Sequence, residues 1–248
     1  MLRKLLKIVD GVSKTNLIKT IYLNFKILPF KQAIKLPIFI YGKIVFRSLK
    51  GEININSAVY PGMIKIGKRD YYVETAVPKC IWTINGTINF NGPINFLQGS
   101  YILVSNNAIL NFGSKSTFCG SNIRIICFKQ IDIGNSCEIT WDCQIMDTSF
   151  HYIENLLDGE IKPLTKPIVI GNNVWIGNRT TISKGAILPD YTIVASNSLV
   201  NKDFTSIGEN CLIAGLPAKL KQQNIRRIFD NKEQKELDKK HNYVRTHL

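Results

Sequence analysis

One histidine, His151, lies in the body of this chain, because the other two, at positions 241 and 247, are close to its C-terminal end. An imidazole that is neutral near pH 7 can accept the proton of an attacking hydroxyl group as a general base. A hydroxyl group is otherwise a poor nucleophile because its own pKa is high. Position 151 also continues a six-residue apolar repeat that includes Ile139 and Ile145, so a buried structural histidine is the alternative interpretation.

The elements that must position this histidine follow from that repeat. Toward the C-terminal end, aliphatic residues recur every six positions, at Ile170, Ile176, Ile182, Leu188, Val194 and Val200. A small or branched residue follows each of the first five by four positions: Val174, Thr180, Ala186, Thr192 and Ser198. Helices repeat every 3.6 residues and strands every two, so neither produces this spacing. Short strands joined by tight corners do, with three hexapeptides to each triangular coil. The sequence therefore predicts an all-β parallel helix.

The repeat is interrupted at His151 and resumes only at Ile170. Residues 151–167 contain three acidic residues and two prolines, which predicts a loop that leaves the coil. A long insertion in a compact repeat is often functional. We therefore expect the loop to hold His151 where an acceptor molecule can reach it.

Composition limits the partners and the location of the protein. The chain has 248 residues and a formal net charge of +14, which favours an anionic partner. We do not expect nucleic-acid binding, because the positive net charge is the only feature of the sequence that would favour it. The six cysteines form no CxxC pair, so we expect buried thiols, no metal site and a reducing, cytoplasmic location. No segment has the apolar length of a membrane span, and no signal-peptide cleavage site follows the N-terminal region.

Three regions are predicted along the chain. Residues 1–50 are basic and apolar, and their pattern indicates one or two amphipathic helices. These helices could cover the open end of the coil, or residues 1–45 could rest on an anionic membrane surface as a peripheral contact. Residues 51–220 form the coil, and residues 221–248 form a charged helical tail.

Two motifs resemble a known family. The sequence VIGNNVWIGNRTTISKGAILPDYTIVASNSLVNKDF, followed by IAGLPAKL, is similar to the C-terminal half of hexapeptide-repeat acyltransferases. IMDTSFHYI, followed by a loop and KPIVIGNNVWIG, resembles the sugar and polysaccharide O-acetyltransferases, including the maltose and galactoside acetyltransferases. The resemblance covers about residues 88–222. It implies a left-handed parallel β-helix, a homotrimer, and acetyl-CoA bound in a groove between subunits.

The resemblance also implies catalytic residues. His151 matches the catalytic histidine of the family, which acts as the general base. Asn122 matches an active-site asparagine that orients the histidine or binds a ligand, although asparagine also suits a β-helix corner. Asp147 could orient the imidazole ring, or it could be a solvated aspartate in a turn.

Cofactor-binding positions carry over with some departures. Asn178, after Gly177, matches a contact to the pantetheine arm, and Ser196, after Ala195, matches a main-chain contact. Asn201 and Lys202 match a pair near the nucleotide, and Lys219 matches a basic residue near the phosphates of coenzyme A. The stretch between positions 201 and 219 is longer than in the sugar acetyltransferases, so the nucleotide contacts are the least defined.

Two tryptophans are candidates for the acceptor site. Trp175 occupies an outward position and Trp141 lies shortly before His151, and either ring could stack on a sugar or pack against a neighbouring subunit. The leading prediction is acetyl-CoA-dependent O-acetylation of a sugar hydroxyl group of a surface glycan or of its precursor, either free or lipid-linked. The alternatives are N-acetylation of a nucleotide-linked amino sugar and a non-catalytic scaffold. A zinc carbonic anhydrase is excluded, because it would need three converging histidines and two of the three in this chain lie in the C-terminal tail.

Overall fold

The computed structural model describes residues 15–70 and 78–243. Within them the chain winds through three parallel sheets, which form the faces of a triangular prism. Sheet I contains β1 (Ile38–Ile40), β4 (Ile64–Lys68), β7 (Ile94–Leu97), β10 (Thr117–Cys119), β13 (Glu138–Ile139), β18 (Trp175–Ile176), β21 (Ile193–Val194), β23 (Cys211–Gly215) and the antiparallel β24 (Ala218–Gln223). Sheet II contains β2 (Ile44–Leu49), β5 (Cys80–Ile84), β8 (Tyr101–Val104), β11 (Arg124–Cys127), β14 (Gln144–Met146), β19 (Thr181–Ser183) and β22 (Leu199–Val200). Sheet III contains β3 (Glu52–Ile55), β6 (Thr87–Phe90), β9 (Ile109–Phe112), β12 (Gln130–Ile133), β17 (Ile168–Ile170) and β20 (Ile187–Leu188).

The six-residue repeat corresponds to one strand and one corner of the prism. The aliphatic residues at positions 170, 176 and 182 lie in sheets III, I and II in turn, and all three point into the core. The small residues four positions later are buried at the corners, where Thr180 and Thr192 satisfy their hydroxyl groups by donating to the main-chain oxygens of Ala195 and Pro189. The prediction of an all-β parallel helix is confirmed.

The corners stack into three edges of the prism. We call the corners that lead from sheet I to sheet II the edge I/II, and those that lead from sheet II to sheet III the edge II/III. Four residues on the edge I/II have positive φ angles between 56° and 57°: Asn122, Asp142, Arg179 and Asn197. Asparagine and aspartate tolerate this left-handed conformation better than most residues, so the backbone itself favours them at these corners.

The irregular N-terminal repeats are also part of the coil, which begins at Ile38 instead of residue 51. Alternating residues such as Ile38, Ile40 and Ile44 point inward and are buried. Aromatic side chains fill this part of the core, among them Trp82, Phe90, Phe96 and Phe112. On the outer side of sheet III, a ladder of side-chain hydrogen bonds joins successive coils through Asn54, Asn89, Asn111 and Asp132.

Helices lie at both ends of the coil. Helices α1 (Leu17–Ile27) and α2 (Phe30–Ala33) pack over the first coil, where Asn24 bonds both the amide and the carbonyl group of Ile38. Residues 1–14 of the predicted helical region lie outside the described residues. At the other end, β24 continues to Gln223 and helix α3 occupies only Asn231–Lys240, so the helical tail starts later than predicted.

Two further sequence predictions concern cysteines and membrane spans. All six cysteines are buried and free, as expected of cysteines that serve as small apolar residues. No described helix is long and apolar enough to cross a bilayer.

Candidate active site

His151 lies where the chain leaves the coil after β14, on the edge II/III. The insertion leaves the coil, as the sequence predicted. Within it the chain forms a hairpin from β15 (Ile153–Glu154) and the antiparallel β16 (Ile161–Lys162). The side chain of His151 is exposed, which excludes the alternative of a buried core histidine.

The residue before His151 has an unusual backbone. Phe150 has a φ of 61°, a conformation that bulky side chains rarely adopt. Its ring packs edge-on against Phe128, with the centroids 5.4 Å apart, and its amide donates to the hydroxyl group of Thr148. Strained residues that are held by their surroundings in this way cluster at functional sites.

Lys184 fastens the base of this hairpin to the coil. Its Nζ donates to the Oγ of Ser149 at 2.9 Å and to the main-chain oxygen of Pro163 at 2.6 Å. The Oγ of Ser149 in turn donates to the main-chain oxygen of His151 at 3.0 Å. Lys184 therefore links the two ends of the hairpin and, through Ser149, the backbone of the histidine.

Asp147 has a different role from either one considered for it. The side chain is fully buried, and its carboxylate accepts hydrogen bonds of 2.7–2.8 Å from the amides of Phe128, Lys129 and Gln130 in the preceding coil. Burial raises the pKa of this carboxyl group, and the three amide donors oppose that shift. Among the described residues no hydrogen bond joins Asp147 to the imidazole of His151, so Asp147 is neither its orienting partner nor a solvated residue.

Asn122 lies on the edge I/II, before the N-terminal end of β11, whereas His151 follows the C-terminal end of β14 in the same sheet. One chain therefore holds the two residues at opposite edges of sheet II. Asn122 is a corner residue, since its φ is 56° and its Nδ2 donates to Asp142 at 3.1 Å. It also lines a cleft of about 480 Å³ together with Lys79, Tyr101, Arg124, Gln144 and Thr181.

The predicted cofactor positions divide between the same two edges. Gly177, Asn178, Ala195 and Ser196 lie on the edge I/II, where the side chains of Asn178 and Ser196 are hydrogen-bonded to each other. A Cβ at Gly177 would lie 2.5 Å from the amide nitrogen of Ser196, so successive coils approach too closely for any side chain there.

The three remaining cofactor positions are Lys219, Asn201 and Lys202, and they do not all lie on the same edge of the prism. Lys219 is exposed on β24, paired with Ala214 near the same edge I/II. Asn201 and Lys202 are exposed on the edge II/III, above His151. Within one chain, the predicted cofactor residues of the edge I/II therefore lie together. Asn201 and Lys202 instead lie on the same edge as His151.

The two tryptophans have different environments. Trp175 faces outward from sheet I, but Arg227 covers its ring at 5.5 Å and forms an ion pair with Glu138. The same guanidinium also lies over the ring of Phe229, 4.7 Å from its centroid. The prediction that Trp175 binds an acceptor is therefore not supported, because the C-terminal segment of the same chain occupies its face. Trp141 is on the edge I/II and remains 37% exposed.

Comparison with known proteins identifies the class of enzyme. No protein-family model matches the chain. The galactoside O-acetyltransferase of Escherichia coli K12 is 28% identical over 157 residues, which cover 63% of this chain and 69% of the relative. A putative lipopolysaccharide biosynthesis O-acetyltransferase of the same organism is 29% identical over 57% of this chain and 74% of its own length. A solved structure of the polysialic acid O-acetyltransferase OatWY superimposes with a TM-score of 0.53 at 24% identity, over 82% of this chain and all of that one.

The chain is an acyltransferase, and its relatives and structural neighbours are hexapeptide-repeat acetyltransferases. Its coil is the left-handed parallel β-helix seen in those structural neighbours, and the acetyltransferase relatives imply an acyl-CoA donor. Sequence reasoning on this acyltransferase missed Ser149 and Lys184, which hold the hairpin, and Lys79, Tyr101 and Arg124 in the cleft. The outward positions of Tyr101 and Arg124 in neighbouring coils were a usable signal, whereas only folding brings Lys184 to Ser149.

Among residues 15–70 and 78–243 of the acyltransferase, no group of three histidine, cysteine, aspartate or glutamate side chains is arranged to hold a metal ion.

Proposed function

We propose that this acyltransferase moves an acetyl group from acetyl-CoA to a sugar hydroxyl group of a surface glycan or its precursor, with His151 as general base. The observation that carries the proposal is the exposed imidazole at the base of a hairpin that Lys184 and Ser149 anchor to the coil. The names of the relatives agree with a carbohydrate acceptor, since they refer to galactoside, lipopolysaccharide and polysialic acid.

In this mechanism the imidazole of His151 takes the proton of the acceptor hydroxyl group while the oxygen attacks the thioester carbonyl carbon. The tetrahedral intermediate then collapses, the carbon–sulfur bond breaks, and the imidazolium returns its proton to the departing thiolate. The products are the acetyl ester and coenzyme A with a free thiol. Main-chain amides along the edge would stabilise the negative oxygen of the intermediate.

The proposed assembly is a homotrimer with its active sites between subunits. Asn122 and His151 lie at opposite edges of sheet II, so one site that uses both must take them from two copies of the chain. Acetyl-CoA would lie between the edge I/II of one subunit, with Gly177, Asn178, Ala195, Ser196 and Lys219, and the edge II/III of the next, with Asn201 and Lys202.

Subunit complementation tests this arrangement. Asn122→Ala and His151→Ala chains, each inactive alone, are refolded together. Mixed trimers would contain sites with both residues intact and regain activity, whereas a site within one chain would give no recovery.

The acceptor would enter the cleft beside Asn122. Lys79 and Arg124 give this cleft exposed cations, Tyr101 and the exposed Trp141 nearby offer aromatic faces, and Gln144 adds an amide. Such a mixture of ring faces and hydrogen-bonding groups suits a saccharide.

Two other functions remain as alternatives. The same base could serve the amine of a nucleotide-linked amino sugar, and a scaffold would catalyse nothing. The deciding experiment measures thiol release from acetyl-CoA across a panel of hydroxyl and amino sugar acceptors. We expect ester formation, and a loss of about a hundred- to ten-thousandfold in His151→Ala. His241→Ala is the matched control, and undiminished transfer in His151→Ala would disprove the mechanism.

We place the reaction in the cytoplasm, where a lipid-linked glycan precursor would be met at the inner membrane surface through a peripheral contact of residues 1–45. The net charge of +14 supports an anionic surface or ligand. No role for nucleic acid or a metal ion is included in the proposal.

A further inference from the structure

Helix α1 packs one face on the coil, and among the described residues its opposite, apolar face stays largely exposed. The covered face packs on the first coil and contains Leu23, which is fully buried, together with the buried Thr20 and Asn24. On the opposite face are Ile18, Ile21, Tyr22 and Phe25, whose spacing of three, four and seven residues places them on one stripe of the helix. A helix that only sealed the coil would present polar residues on this side.

This stripe continues into helix α2 and the segment after it. The ring of Phe30 lies 6.1 Å from that of Phe25, and Ile34 follows one turn later. Exposure is high for such large side chains, at 83% for Ile18, 70% for Phe30 and 54% for Ile34. We call these six residues, Ile18, Ile21, Tyr22, Phe25, Phe30 and Ile34, the outer apolar face. Contiguous exposed patches of this kind mark interaction sites.

The charged residues of the segment that contains the outer apolar face are all basic. Residues 15–51 contain no aspartate or glutamate and seven basic residues: Lys19, Lys26, Lys31, Lys35, Lys43, Arg47 and Lys50. Lys26, Lys31 and Lys35 are exposed and alternate with the apolar residues along the chain. This combination of an apolar stripe and flanking lysines is the pattern of helices that lie in the interface of anionic bilayers.

We infer that the outer apolar face is a membrane-docking surface, which inserts Ile18, Phe25 and Phe30 into the interfacial layer of an anionic bilayer while Lys26, Lys31 and Lys35 contact the lipid phosphates. Apolar burial and charge attraction are both needed, because either one alone gives weak and reversible binding. The coil would then stand with its first turn at the membrane. The inference does not depend on the proposed acetyl transfer, since it rests on the N-terminal surface alone.

Flotation with lipid vesicles tests the docking surface. The full chain is mixed with vesicles of phosphatidylcholine alone, or of phosphatidylcholine with about a third phosphatidylglycerol. We expect at least tenfold stronger partitioning onto the anionic vesicles, and most of it should be lost in 0.5 M NaCl because exposed charges are screened. Equal partitioning onto both vesicles, or none onto either, would overturn the inference.

Two triple variants separate the contributions. The variant Ile18→Ser/Phe25→Ser/Phe30→Ser removes apolar contact with the bilayer. The variant Lys26→Gln/Lys31→Gln/Lys35→Gln removes positive charge, and each lost lysine should weaken partitioning onto anionic vesicles about fivefold. The matched controls are Leu156→Ser/Leu157→Ser, which are highly exposed in the hairpin, and Lys235→Gln/Lys239→Gln/Lys240→Gln in helix α3. We expect both test variants to lose vesicle binding and both controls to keep it.

Each sample is also examined for folding, oligomeric mass without lipid, and thiol release with a soluble acceptor. Vesicle binding that is unchanged in the serine variant would contradict the inference. So would a change of oligomeric mass in that variant, because the face would then be a contact between copies. Thiol release reports separately on the proposed reaction, and its absence with vesicle binding intact would disprove only that reaction.

Discussion

Lys184 donates a hydrogen bond of 2.9 Å from its Nζ to the Oγ of Ser149, although 35 residues separate them. The same ammonium group also holds the carbonyl group of Pro163 at the far end of the hairpin. Because Ser149 donates to the main-chain oxygen of His151, this contact ties the backbone that carries the imidazole to the coil.

Lys184→Met should therefore reduce kcat by about ten- to a hundredfold, because small displacements of a catalytic group have large effects on rate. The KM for acetyl-CoA should change less than twofold, since most of the proposed cofactor positions lie on the edge I/II and only Asn201 and Lys202 share the edge of Lys184. Steady-state kinetics check both values. Lys184→Arg, which keeps donors for the carbonyl groups, should recover part of kcat, and the exposed Lys162→Met is the control. A fall in thermal stability with unchanged kcat would show a purely structural role.

Asp147→Asn should destabilise the fold by about 2–4 kcal/mol, because the amide cannot replace a carboxylate that accepts from three main-chain amides in a buried corner. Urea unfolding measures the change, with the exposed Glu209→Gln as control. If Asp147 instead acted mainly on His151, the variant would lose kcat while its unfolding midpoint stayed at the wild-type value.

The buried thiols should make the fold sensitive to alkaline pH. Burial raises the pKa of Cys137 to about 12 and that of Cys143 to about 11. The thiol of an unfolded cysteine has a pKa of about 8.5, so above that pH the unfolded state loses protons that the folded state keeps. The stability present below pH 8.5 is therefore lost as pH rises toward the folded pKa values, at about 1.4 kcal/mol per pH unit for each thiol.

Urea unfolding at pH 8 and pH 10 checks this linkage. The variant Cys137→Ala/Cys143→Ala should have a lower stability at pH 8 and a clearly shallower loss between the two values. An identical pH dependence in the two proteins would mean that other groups cause it.

Trp175→Ala should lower stability by about 1–3 kcal/mol and leave the acceptor KM within twofold of wild type, because its ring packs on Arg227 of the same chain. Trp141→Ala is the matched comparison and should raise the acceptor KM with little effect on stability. Unfolding curves and acceptor saturation curves distinguish the two. The reverse assignment of effects would return Trp175 to the acceptor site.

Much of the fold could be predicted because a coil of short strands needs an inward aliphatic residue at every sixth position and a small residue at each corner. The position of His151 could be predicted for the same reason, since the repeat fails there. The start of the coil at Ile38 was missed because the register of β2 shifts between Phe46 and Ser48, which interrupts the six-residue spacing before residue 51.

By itself the sequence determined the architecture, the interruption at His151 and the resemblance to acyltransferases, because each depends on spacing along the chain. Only the tertiary structure decided that Asp147 caps a corner, that Arg227 covers Trp175, and that Asn122 and His151 face opposite edges of sheet II. It also decided that, within the described part of the chain, the apolar face of helix α1 opposite the coil is exposed. These relationships join residues that are distant in sequence or on opposite sides of one element, and a local pattern of residues carries no information about which neighbour covers which side.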